Sequence, residues 1–444
     1  MGDRLAIVGG DAAGMSAATN ALRRDPGLDV IAFERSVFTS YSACGIPYFV
    51  GGLVDAVDDL VARSPESHRA NGIDVRTNTE VVGIDLDRRE LALAGGGVEP
   101  FDRLVVATGA RAVPPRVPGA DATEPARTLD AAVRLRRQVG DGGHHDAVVV
   151  GAGYIGLEMA EAFAMRGLHV ALVERADEVF PVLDADMGAR VREAAERIGI
   201  EVHTSTLLEE VLLDDAGEPR GVRTTAGELA ARHVVVAVGV RPDVELAAAA
   251  GLRIGPTGAL AVDDHQRCAG ADGVWAAGDC VESRHLLLDR PVNIQLGTHA
   301  NKQGRVAGHN AAGGDLAFPG VVGTAISRLC RREVALTGLT ETLAAEAGYD
   351  AYAATIETSA RAGYYPGNGP VWVKLVAERG TGRVLGAQIV GAETAAKRID
   401  TVAMAVWTGM AVDELQWVDL GYAPPVSGVL DPVLVAARVA AKNL

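Results

Sequence analysis

The sequence has few cysteines and few aromatic residues for its length. Only four of its 444 residues are cysteine, and no pair has the CxxC spacing of a redox or metal motif. This scarcity excludes a secreted disulfide framework. Aromatic residues make up only 4% of the chain. No apolar run reaches the roughly 18 residues that span a bilayer, and the N-terminus lacks the pattern of a signal peptide. We therefore predict a cytoplasmic protein with no membrane partner.

Positive charge is also scarce. Lysine and arginine total 42 against 58 acidic residues, which gives a formal net charge of −16. Such an acidic chain is a poor partner for nucleic acids. Hydrophobic residues reach 48%, and the 53 glycines are typical of packed α/β layers joined by tight turns. The length predicts roughly two to four domains.

The segment LAIVGGDAAGMSAA predicts a strand, a turn and a helix that bind a dinucleotide. Gly9 and Gly14 hold the outer positions of a G-x-G-x-x-G motif, whereas Asp11 takes the middle one. Glu34 ends the next predicted strand, at the spacing of an acid that binds a ribose hydroxyl. The start of the helix offers free N–H groups and a positive dipole end to a diphosphate. Asp11 would crowd and repel that diphosphate.

A second segment, VVVGAGYIGLE, carries the complete motif. Its glycines are Gly151, Gly153 and Gly156, and the following strand ends at Glu174. An acid there favours the 2′-hydroxyl of NADH over the 2′-phosphate of NADPH, although the adjacent Arg175 could soften this preference. The two segments together predict two bound dinucleotides.

Cys44 lies in SYSACGIPYFVGG, shortly after the first unit and without a nearby partner cysteine. A free cysteine is often only a small buried apolar residue. Here the thiol lies where a loop becomes a helix, and a helix N-terminus lowers a thiol pKa. We therefore expect a redox role for Cys44 and a structural role for the other three cysteines. The pair His144-His145 is predicted to be a solvated turn, and no cluster of ligands indicates a metal site.

Two similar segments predict where the chain crosses between domains. LVVATGARAVPP leaves the first unit and VVVAVGVRPDVELA returns to it, followed by GVWAAGDCVE and a long helical stretch. From about residue 321 the composition changes to strand-like segments, helices and a long tail. The turn-rich joint near residues 312–315 is the predicted boundary.

With these motifs, the sequence resembles the pyridine nucleotide-disulfide oxidoreductase superfamily. Within it, the resemblance is to the single-cysteine group of coenzyme A disulfide reductases, coenzyme A persulfide reductases, NADH oxidases and NADH peroxidases. It covers nearly the whole chain through the two dinucleotide turns and the motifs SYSACGIPY, LVVATGA, WAAGD, GYYPGN and GYAPPVS.

The resemblance implies an α/β fold with two Rossmann-like domains and a C-terminal α+β dimerisation domain. The FAD-binding domain would comprise residues 1–112 and 245–320, the NAD(P)H-binding domain residues 113–244, and the dimerisation domain residues 321–444. FAD and NADH or NADPH would be the cofactors, with coenzyme A as a substrate or as a mixed disulfide on Cys44. The chain would form a homodimer whose active sites are shared across the interface.

The resemblance also assigns roles to individual residues. The expected FAD contacts are Gly9, Gly14, Glu34, Arg35, Gly109, Gly278 and Asp279. The expected NAD(P)H contacts are Gly151, Gly153, Gly156, Glu174 and Gly239. The catalytic set is Cys44 with Tyr364 and Tyr422, and the substrate-binding set is Asn20, Arg23 and Ser40.

Some positions depart from the coenzyme A disulfide reductase pattern. Ala43 replaces the usual asparagine before the cysteine, while Asn71 and Leu430 replace two lysines that bind the phosphates of coenzyme A. Fewer cations mean weaker binding of a polyanion, unless Arg63 or Arg69 substitutes for them.

Three functions remain open from the sequence. The first is an FAD-dependent NAD(P)H oxidoreductase that reduces coenzyme A disulfide, or a related small disulfide or persulfide, through a mixed disulfide on Cys44. The second is an NADH oxidase that reduces O2 with Cys44 passing through a sulfenic acid. The oxidase and peroxidase branch carries a histidine in the first glycine turn, and this chain has Ala12 at that position. The third is a redox-sensing flavoprotein with slow turnover. Asp11 and the two missing lysines are the features that favour it.

Overall fold

The computed structural model describes residues 3–140 and 145–444. His144, predicted to lie in a solvated turn, is outside the described residues. None of the helices in the described part of the chain is long and apolar enough to cross a membrane.

The first part of the chain builds a parallel sheet with a small antiparallel sheet beside it. Its strands are β1 (Arg4–Val8), β2 (Asp29–Phe33), β3 (Ile73–Arg76), β4 (Val81–Asp85), β5 (Glu90–Leu93), β6 (Val98–Pro100), β7 (Arg103–Val106) and β8 (Ala110–Ala112). Its helices are α1 (Ala12–Arg24), α2 (Ile46–Gly51) and α3 (Pro65–Ala70). Strand β1 is almost wholly buried and pairs in parallel with β2 and β7. Helix α1 makes the crossover that a parallel β1–β2 pair requires.

The middle part of the chain repeats this plan. Its elements are α4 (Leu129–Val139), β9 (Asp146–Val150), α5 (Tyr154–Met165), β10 (His169–Val173), α6 (Ala185–Arg197), β11 (Glu201–His203), β12 (Leu208–Leu213), β13 (Pro219–Thr224), β14 (Gly227–Ala230), β15 (His233–Val236) and β16 (Val240–Pro242). The parallel strands run in the order β11-β10-β9-β15, with an antiparallel sheet β12-β13-β14 beside them. Both dinucleotide units predicted from the sequence are therefore confirmed as β-α-β units.

The chain then returns to its first sheet. This part contains α7 (Glu245–Ala249), β17 (Val274–Ala276), β18 (Ser283–His285), β19 (Arg290–Val292) and α8 (Gly297–Ala311). Strand β17 pairs in parallel with β7 and completes the order β17-β7-β1-β2-β3. The two crossing segments meet, because β8 and β16 pair as antiparallel strands.

The C-terminal part is an antiparallel sheet covered by helices. Its elements are β20 (Ala325–Leu329), β21 (Arg332–Gly338), α9 (Glu341–Glu346), β22 (Ala351–Ser359), β23 (Pro370–Glu378), β24 (Val384–Gly391), α10 (Ile399–Thr408), α11 (Val412–Leu415) and α12 (Pro432–Ala441). The strand order is β20-β21-β24-β23-β22, and the central β24 is buried along its whole length. The fold class predicted from the sequence is confirmed.

Helices α1 and α8 pack closely because glycines face alanines between them. A Cβ on Gly304 would lie 2.2 Å from the carbonyl oxygen of Ala13, and one on Gly308 would lie 2.0 Å from that of Ala17. Gly278 also lies against α1, since its Cβ would be 2.8 Å from the Ala13 Cβ. Because of this packing, the loop after β17 lies against the start of α1.

Candidate active site

The first dinucleotide turn depends on its glycines. Gly9 has a φ of +115°, and a Cβ there would lie 2.1 Å from the carbonyl oxygen of Ala107. A Cβ on Gly14 would lie 1.9 Å from the carbonyl oxygen of Gly9. No capping hydrogen bond from a side chain closes the start of α1, so N–H groups of its first turn after Ala12 remain available. These features fit the diphosphate of a bound dinucleotide.

Glu34 lies over this turn. Its carboxylate accepts hydrogen bonds from the Gly10 N–H at 2.9 Å and the Ser36 N–H at 2.8 Å. The neighbouring Arg35 is exposed, and its Nη1 lies 3.6 Å from an Asp243 carboxylate oxygen at the domain crossing. Glu34 therefore faces the dinucleotide turn, whereas Arg35 faces the crossing strands.

Gly278 and Asp279 follow β17. The Gly278 N–H donates to the Gln303 side chain at 3.0 Å. The Asp279 carboxylate lies 3.2 Å from Nη2 of Arg127. Burial raises the pKa of Asp279 even though Arg127 opposes the shift. Arg127 could not be recognised as a partner of Asp279 from the sequence, because the two residues are 152 positions apart.

Asp11 connects the glycine turn to the segment that carries Cys44. One of its carboxylate oxygens accepts a hydrogen bond from the Tyr41 N–H at 3.1 Å. Burial raises the pKa of Asp11 to about 6, and the negative charges of Glu34 and Asp279 add to the shift. Three carboxylates therefore converge at the start of α1.

The second dinucleotide turn has the same close approach and more free space. A Cβ on Gly151 would lie 2.4 Å from the carbonyl oxygen of Ala237, and one on Gly156 would lie 1.7 Å from that of Gly151. A Cβ on Gly153 would meet nothing within 4 Å. Open space at this middle glycine is what the backbone needs to approach a diphosphate.

Glu174 closes the second turn as Glu34 closes the first. It is buried, and its two carboxylate oxygens accept hydrogen bonds from the Ala152 N–H at 2.6 Å and the Ala176 N–H at 2.8 Å. The adjacent Arg175 is exposed. A buried acid at this strand end favours a ribose hydroxyl over a phosphate.

Gly109 and Gly239 lie at the two domain crossings. The Gly109 carbonyl accepts a hydrogen bond from the Asp243 N–H at 2.9 Å, and the Gly239 carbonyl accepts one from the Val113 N–H at 3.0 Å. The two glycines therefore bracket the paired strands β8 and β16.

Cys44 is the exposed member of the four cysteines. It lies in a short 3-10 turn, Ala43–Gly45, just before α2. The other three, Cys268, Cys280 and Cys330, are buried, and burial raises their pKa values to about 12, 11 and 12 respectively. Cys44 is thus the thiol that an incoming disulfide can reach.

The expected low thiol pKa of Cys44 is wrong. Although the residue is exposed, desolvation at the thiol raises its pKa, and the negative charge of Glu158 raises it further. Helix α2 has only six residues and starts after the turn that holds the thiol, so its dipole does not outweigh these causes.

Glu158 is a site residue that the sequence did not reveal. It lies on α5 and accepts a hydrogen bond of 2.6 Å from the Ser327 hydroxyl on β20. Burial raises its pKa to about 7 against that hydrogen bond, and Glu161 adds to the shift. The one sequence feature that could have identified Glu158 is its position two residues after Gly156, at the end of the glycine motif.

The predicted substrate residues lie on or beside α1. The Asn20 side chain donates to the Ser16 carbonyl at 2.8 Å, and Arg23 is exposed in the last turn of the helix. The Ser40 Oγ lies 2.9 Å from Nε2 of the buried His68. Their role in substrate binding stays a prediction.

Arg69 is not free to replace a missing lysine, contrary to the sequence-based suggestion. Its guanidinium donates to the Val75 carbonyl at 2.9 and 2.7 Å and lies 3.2 Å from Glu66. Arg63 is exposed, and no ion pair involving it occurs in the described part of the chain. Only Arg63 of the two therefore keeps an uncommitted positive charge.

Tyr364 and Tyr422 lie in neighbouring loops of the C-terminal domain. A hydrogen bond of 3.3 Å from the Ala362 N–H to the Pro424 carbonyl joins the loops. The two tyrosines are 78% and 47% exposed, and Trp417 nearby in sequence is 81% exposed. Within the described residues, no hydrogen bond links either tyrosine to Cys44. Their exposure leaves them available to another subunit.

One group of possible metal ligands lies close together in the described part of the chain, where the sequence indicated no metal site. Asp263, Asp264 and His265 place ligand atoms within 4.8 Å of one another. Both ring nitrogens of His265 already face carboxylates, of Asp264 at 2.7 Å and Asp315 at 3.0 Å. The two aspartates are exposed, so this cluster has the character of a solvated turn.

Known protein families match the chain over most of its length. A model described as pyridine nucleotide-disulphide oxidoreductase matches residues 3–304, and the dimerisation domain of that family matches residues 325–433. The NAD(P)H coenzyme A polysulfide/persulfide reductase of Pyrococcus horikoshii is 39% identical over 446 residues, which cover 99% of this chain and 98% of the relative. The NADH oxidase of Methanocaldococcus jannaschii is 33% identical over 449 residues, which cover 99% of each chain.

A solved structure has the same fold. The NAD-dependent persulfide reductase from A. fulgidus superposes with a TM-score of 0.95 at 38% identity, covering 99% of this chain and 83% of that chain.

Proposed function

Because the chain belongs to the pyridine nucleotide-disulphide oxidoreductase family, we propose that it reduces coenzyme A disulfide, or a related small persulfide or polysulfide, through Cys44. It is an oxidoreductase that uses FAD and NAD(P)H, as members of this family do. The polysulfide and persulfide reductase among its relatives supports a substrate that contains an S–S bond. A cytoplasmic location stays a prediction from the sequence.

The two glycine turns fit the two cofactors. We assign FAD to the turn with Gly9, Gly14 and Glu34, and to Asp279. We assign NAD(P)H to Gly151, Gly153, Gly156 and Glu174. When bound, FAD supplies to the active site the two electrons that NAD(P)H carries. The buried Glu174 supports a preference for NADH.

The remaining predicted contacts have supporting positions. Gly278 lies beside Asp279 at the start of α1, and Gly109 and Gly239 lie at the crossings. Arg35 is turned towards Asp243, so its contribution to FAD binding would need that pair to open. The domain limits at residues 112, 244 and 320 stay a prediction. The pairing of β8 with β16 and the return of β17 to the first sheet support the first two limits.

The exposure of Cys44 is the observation that carries the proposal. Its thiolate attacks one sulfur of a disulfide RSSR′, so that a Cys44–SR bond forms and the thiolate R′S⁻ leaves. Two electrons and one proton then convert the mixed disulfide to the Cys44 thiolate and RSH. The leaving R′S⁻ takes a second proton, and the sum is RSSR′ + 2e⁻ + 2H⁺ → RSH + R′SH.

Two kinds of residue can supply protons to the departing thiolate. Glu158 has a pKa of about 7, so it is partly protonated near neutral pH and can hold a proton close to Cys44. In a homodimer, the exposed Tyr364 and Tyr422 would reach Cys44 of the partner subunit. The phenol of Tyr422 is then the proton donor. The matched dimerisation domain supports this arrangement.

Recognition of coenzyme A would use α1. The exposed Arg23 offers a cation for a phosphate, while the Asn20 amide and the Ser40 hydroxyl offer polar groups. Asn71 bonds to the Ser67 carbonyl at 2.6 Å and brings no charge. We therefore expect weaker binding of coenzyme A than in enzymes with two lysines at these positions.

The proposal is tested with the holoenzyme and two cysteine variants. Cys44→Ser should lose NADH-dependent reduction of coenzyme A disulfide by a factor of about 1,000, because the attacking sulfur is missing. Cys268→Ala is the matched control, because that thiol is buried, and it should keep most of the activity. Undiminished release of coenzyme A thiol by Cys44→Ser would rule out the proposed role.

NADH oxidase activity is the second candidate, since a relative with that name is 33% identical. In that reaction, Cys44 would pass through a sulfenic acid. Ala12 leaves no imidazole at the start of α1. An oxygen electrode separates the two functions: rapid O2 uptake without a disulfide, and its loss in Cys44→Ser, would support the oxidase.

A further inference from the structure

We propose that Asp11 is a proton-dependent positioning residue, which holds residues 40–44 in place and takes up a proton when the diphosphate of FAD binds at α1. Residues 40–44 are called the redox segment below. The inference rests on FAD binding and is independent of the substrate of Cys44.

The geometry separates Asp11 from an ordinary helix cap. Asp11 is the N-cap residue of α1, and its side chain makes no capping hydrogen bond, although the Ala12 N–H at the start of the helix also stabilises its carboxylate. Its carboxylate instead accepts the N–H of Tyr41 in the redox segment at 3.1 Å. A second bond of 3.1 Å runs from the Ser40 N–H to the Gly10 carbonyl. The start of α1 thus remains open to a phosphate, while the Asp11 side chain links the glycine turn to the redox segment.

The charges around Asp11 are mostly negative. Glu34, directly after β2, and Asp279, after β17, act on it electrostatically, and the Tyr41 phenol and the Cys44 thiol lie within range of its charge. The nearby cations are engaged elsewhere. Arg127 pairs with Asp279, and Arg35 with Asp243. In the described part of the chain, Asp11 therefore has no ion-pair partner.

A bound diphosphate would add negative charge to this place. Burial and the two carboxylates already raise the pKa of Asp11 to about 6. A further anion raises the pKa of an acid, because it disfavours the charged form. The protonated carboxyl removes one repulsion and gains an O–H that can donate to a phosphate oxygen.

The sign of the pH effect follows from linkage. A group whose pKa rises on binding takes up a proton at any pH between its free and bound values. FAD affinity should therefore be constant below about pH 6. Above it, affinity should fall by up to about tenfold per pH unit until the bound pKa is reached.

The test measures FAD retention by the full-length holoenzyme. The protein is diluted at a series of pH values from about 6 to 8.5, and released FAD is quantified by fluorescence. Asp11→Asn keeps a carbonyl oxygen for the Tyr41 N–H but cannot titrate. Its dissociation constant should stay flat and lie about tenfold or more below that of the unaltered protein at about pH 8. Asp25→Asn, at the other end of α1, is the matched control and should retain the pH dependence.

A second variant separates the two roles of Asp11. Asp11→Gly also removes the charge, but it leaves the Tyr41 N–H without its acceptor. FAD retention should again be flat with pH. Alkylation of Cys44 by iodoacetamide should be several-fold faster than in Asp11→Asn, because the redox segment is held less firmly.

Three results would overturn the inference. One is a flat pH dependence in the unaltered protein, which needs no variant to be observed. Another is an unchanged slope in Asp11→Asn. The third is equal Cys44 alkylation in Asp11→Asn and Asp11→Gly, which would remove the positioning role. Failure of Cys44 as a disulfide reductant would leave all three measurements unaffected.

Discussion

Glu158 and Ser327 join the second dinucleotide unit to the C-terminal domain by a hydrogen bond of 2.6 Å between carboxylate and hydroxyl. The bond holds a carboxylate near Cys44, and its charge raises the pKa of the thiol. Reactivity of the thiol therefore depends on a side chain from a different domain.

Glu158→Gln should make Cys44 more reactive above neutral pH. Removing the negative charge lowers the thiol pKa, so the thiolate fraction at about pH 8 should increase roughly two- to fivefold. Because the pKa of Glu158 is about 7, the difference should shrink below that pH, where the native carboxyl is already protonated. Iodoacetamide alkylation rates across pH measure this. Glu66→Gln is the exposed control, and identical pH profiles for all three proteins would contradict the prediction.

Lys374 is one of only four lysines, and it is buried within an acidic cluster. Its Nζ lies 3.3 Å from Asp184, 2.9 Å from Asp186 and 3.0 Å from Glu341. Lys374→Met would remove the cation from the buried Asp184, whose carboxylate would keep its hydrogen bonds from Gln388, Thr342 and the Glu341 N–H. The change should lower stability by about 1–3 kcal/mol. Chemical denaturation of the holoenzyme measures this. Asp186→Asn should cost at most about 1 kcal/mol, because its side chain is half exposed.

The pH dependence of this cluster has a definite sign. Burial of Lys374 opposes its charged form, but the three carboxylates outweigh this and raise its pKa to about 12, above its ordinary value of 10.5. The stabilisation from the charged Lys374 is complete below the pKa of this lysine in the unfolded chain. It is lost as pH rises through the pKa of Lys374 in the folded protein. The Lys374→Met cost should therefore be the same at about pH 7 and pH 9. A cost that disappears by about pH 9 would contradict the assignment.

The glycines of the second turn should fail in different ways. Gly156→Ala places a methyl group 1.7 Å from the Gly151 carbonyl oxygen and should destabilise the domain by about 3 kcal/mol or more. Gly153→Ala enters open space, so thermal stability should be retained. It should instead raise KM for NADH by about tenfold, since a methyl group blocks the approach of the diphosphate. Normal NADH kinetics in Gly153→Ala would contradict the assigned binding position.

Shared active sites can be tested with mixed dimers. Cys44→Ser and Tyr422→Phe subunits, each impaired alone, are combined by refolding or co-expression. If Tyr422 acts on Cys44 of the partner subunit, the mixed dimer contains one intact site and should recover about half of the native activity. If the two residues act within one chain, no site is intact. Activity no higher than that of the Tyr422→Phe dimer would then be found.

The sequence predicted the features that depend on local geometry. Gly9, Gly14, Gly151 and Gly156 were recognisable, because each lies where a Cβ would collide with a backbone carbonyl. The family, the fold class and the cofactors followed from these motifs and are confirmed. The roles of Cys44, Tyr364 and Tyr422 stay predictions.

The sequence did not reveal features that depend on distant residues. Arg127 meets Asp279, and Glu158 meets Ser327, only after the sheets have assembled. The thiol pKa of Cys44 was predicted in the wrong direction for the same reason. A short helix was visible in the sequence, but the desolvation and the carboxylate that outweigh it were not.

The pairing of β8 with β16 has a consequence for how such enzymes evolve. Neighbouring strands lie about 4.8 Å apart, so the chain enters and leaves the second dinucleotide unit at almost the same point. The second dinucleotide unit is therefore an insertion whose two ends lie side by side, at β8 and β16. Exchanging it for the equivalent stretch of a relative with a different coenzyme preference requires two splices and leaves the β17-β7-β1-β2-β3 order intact.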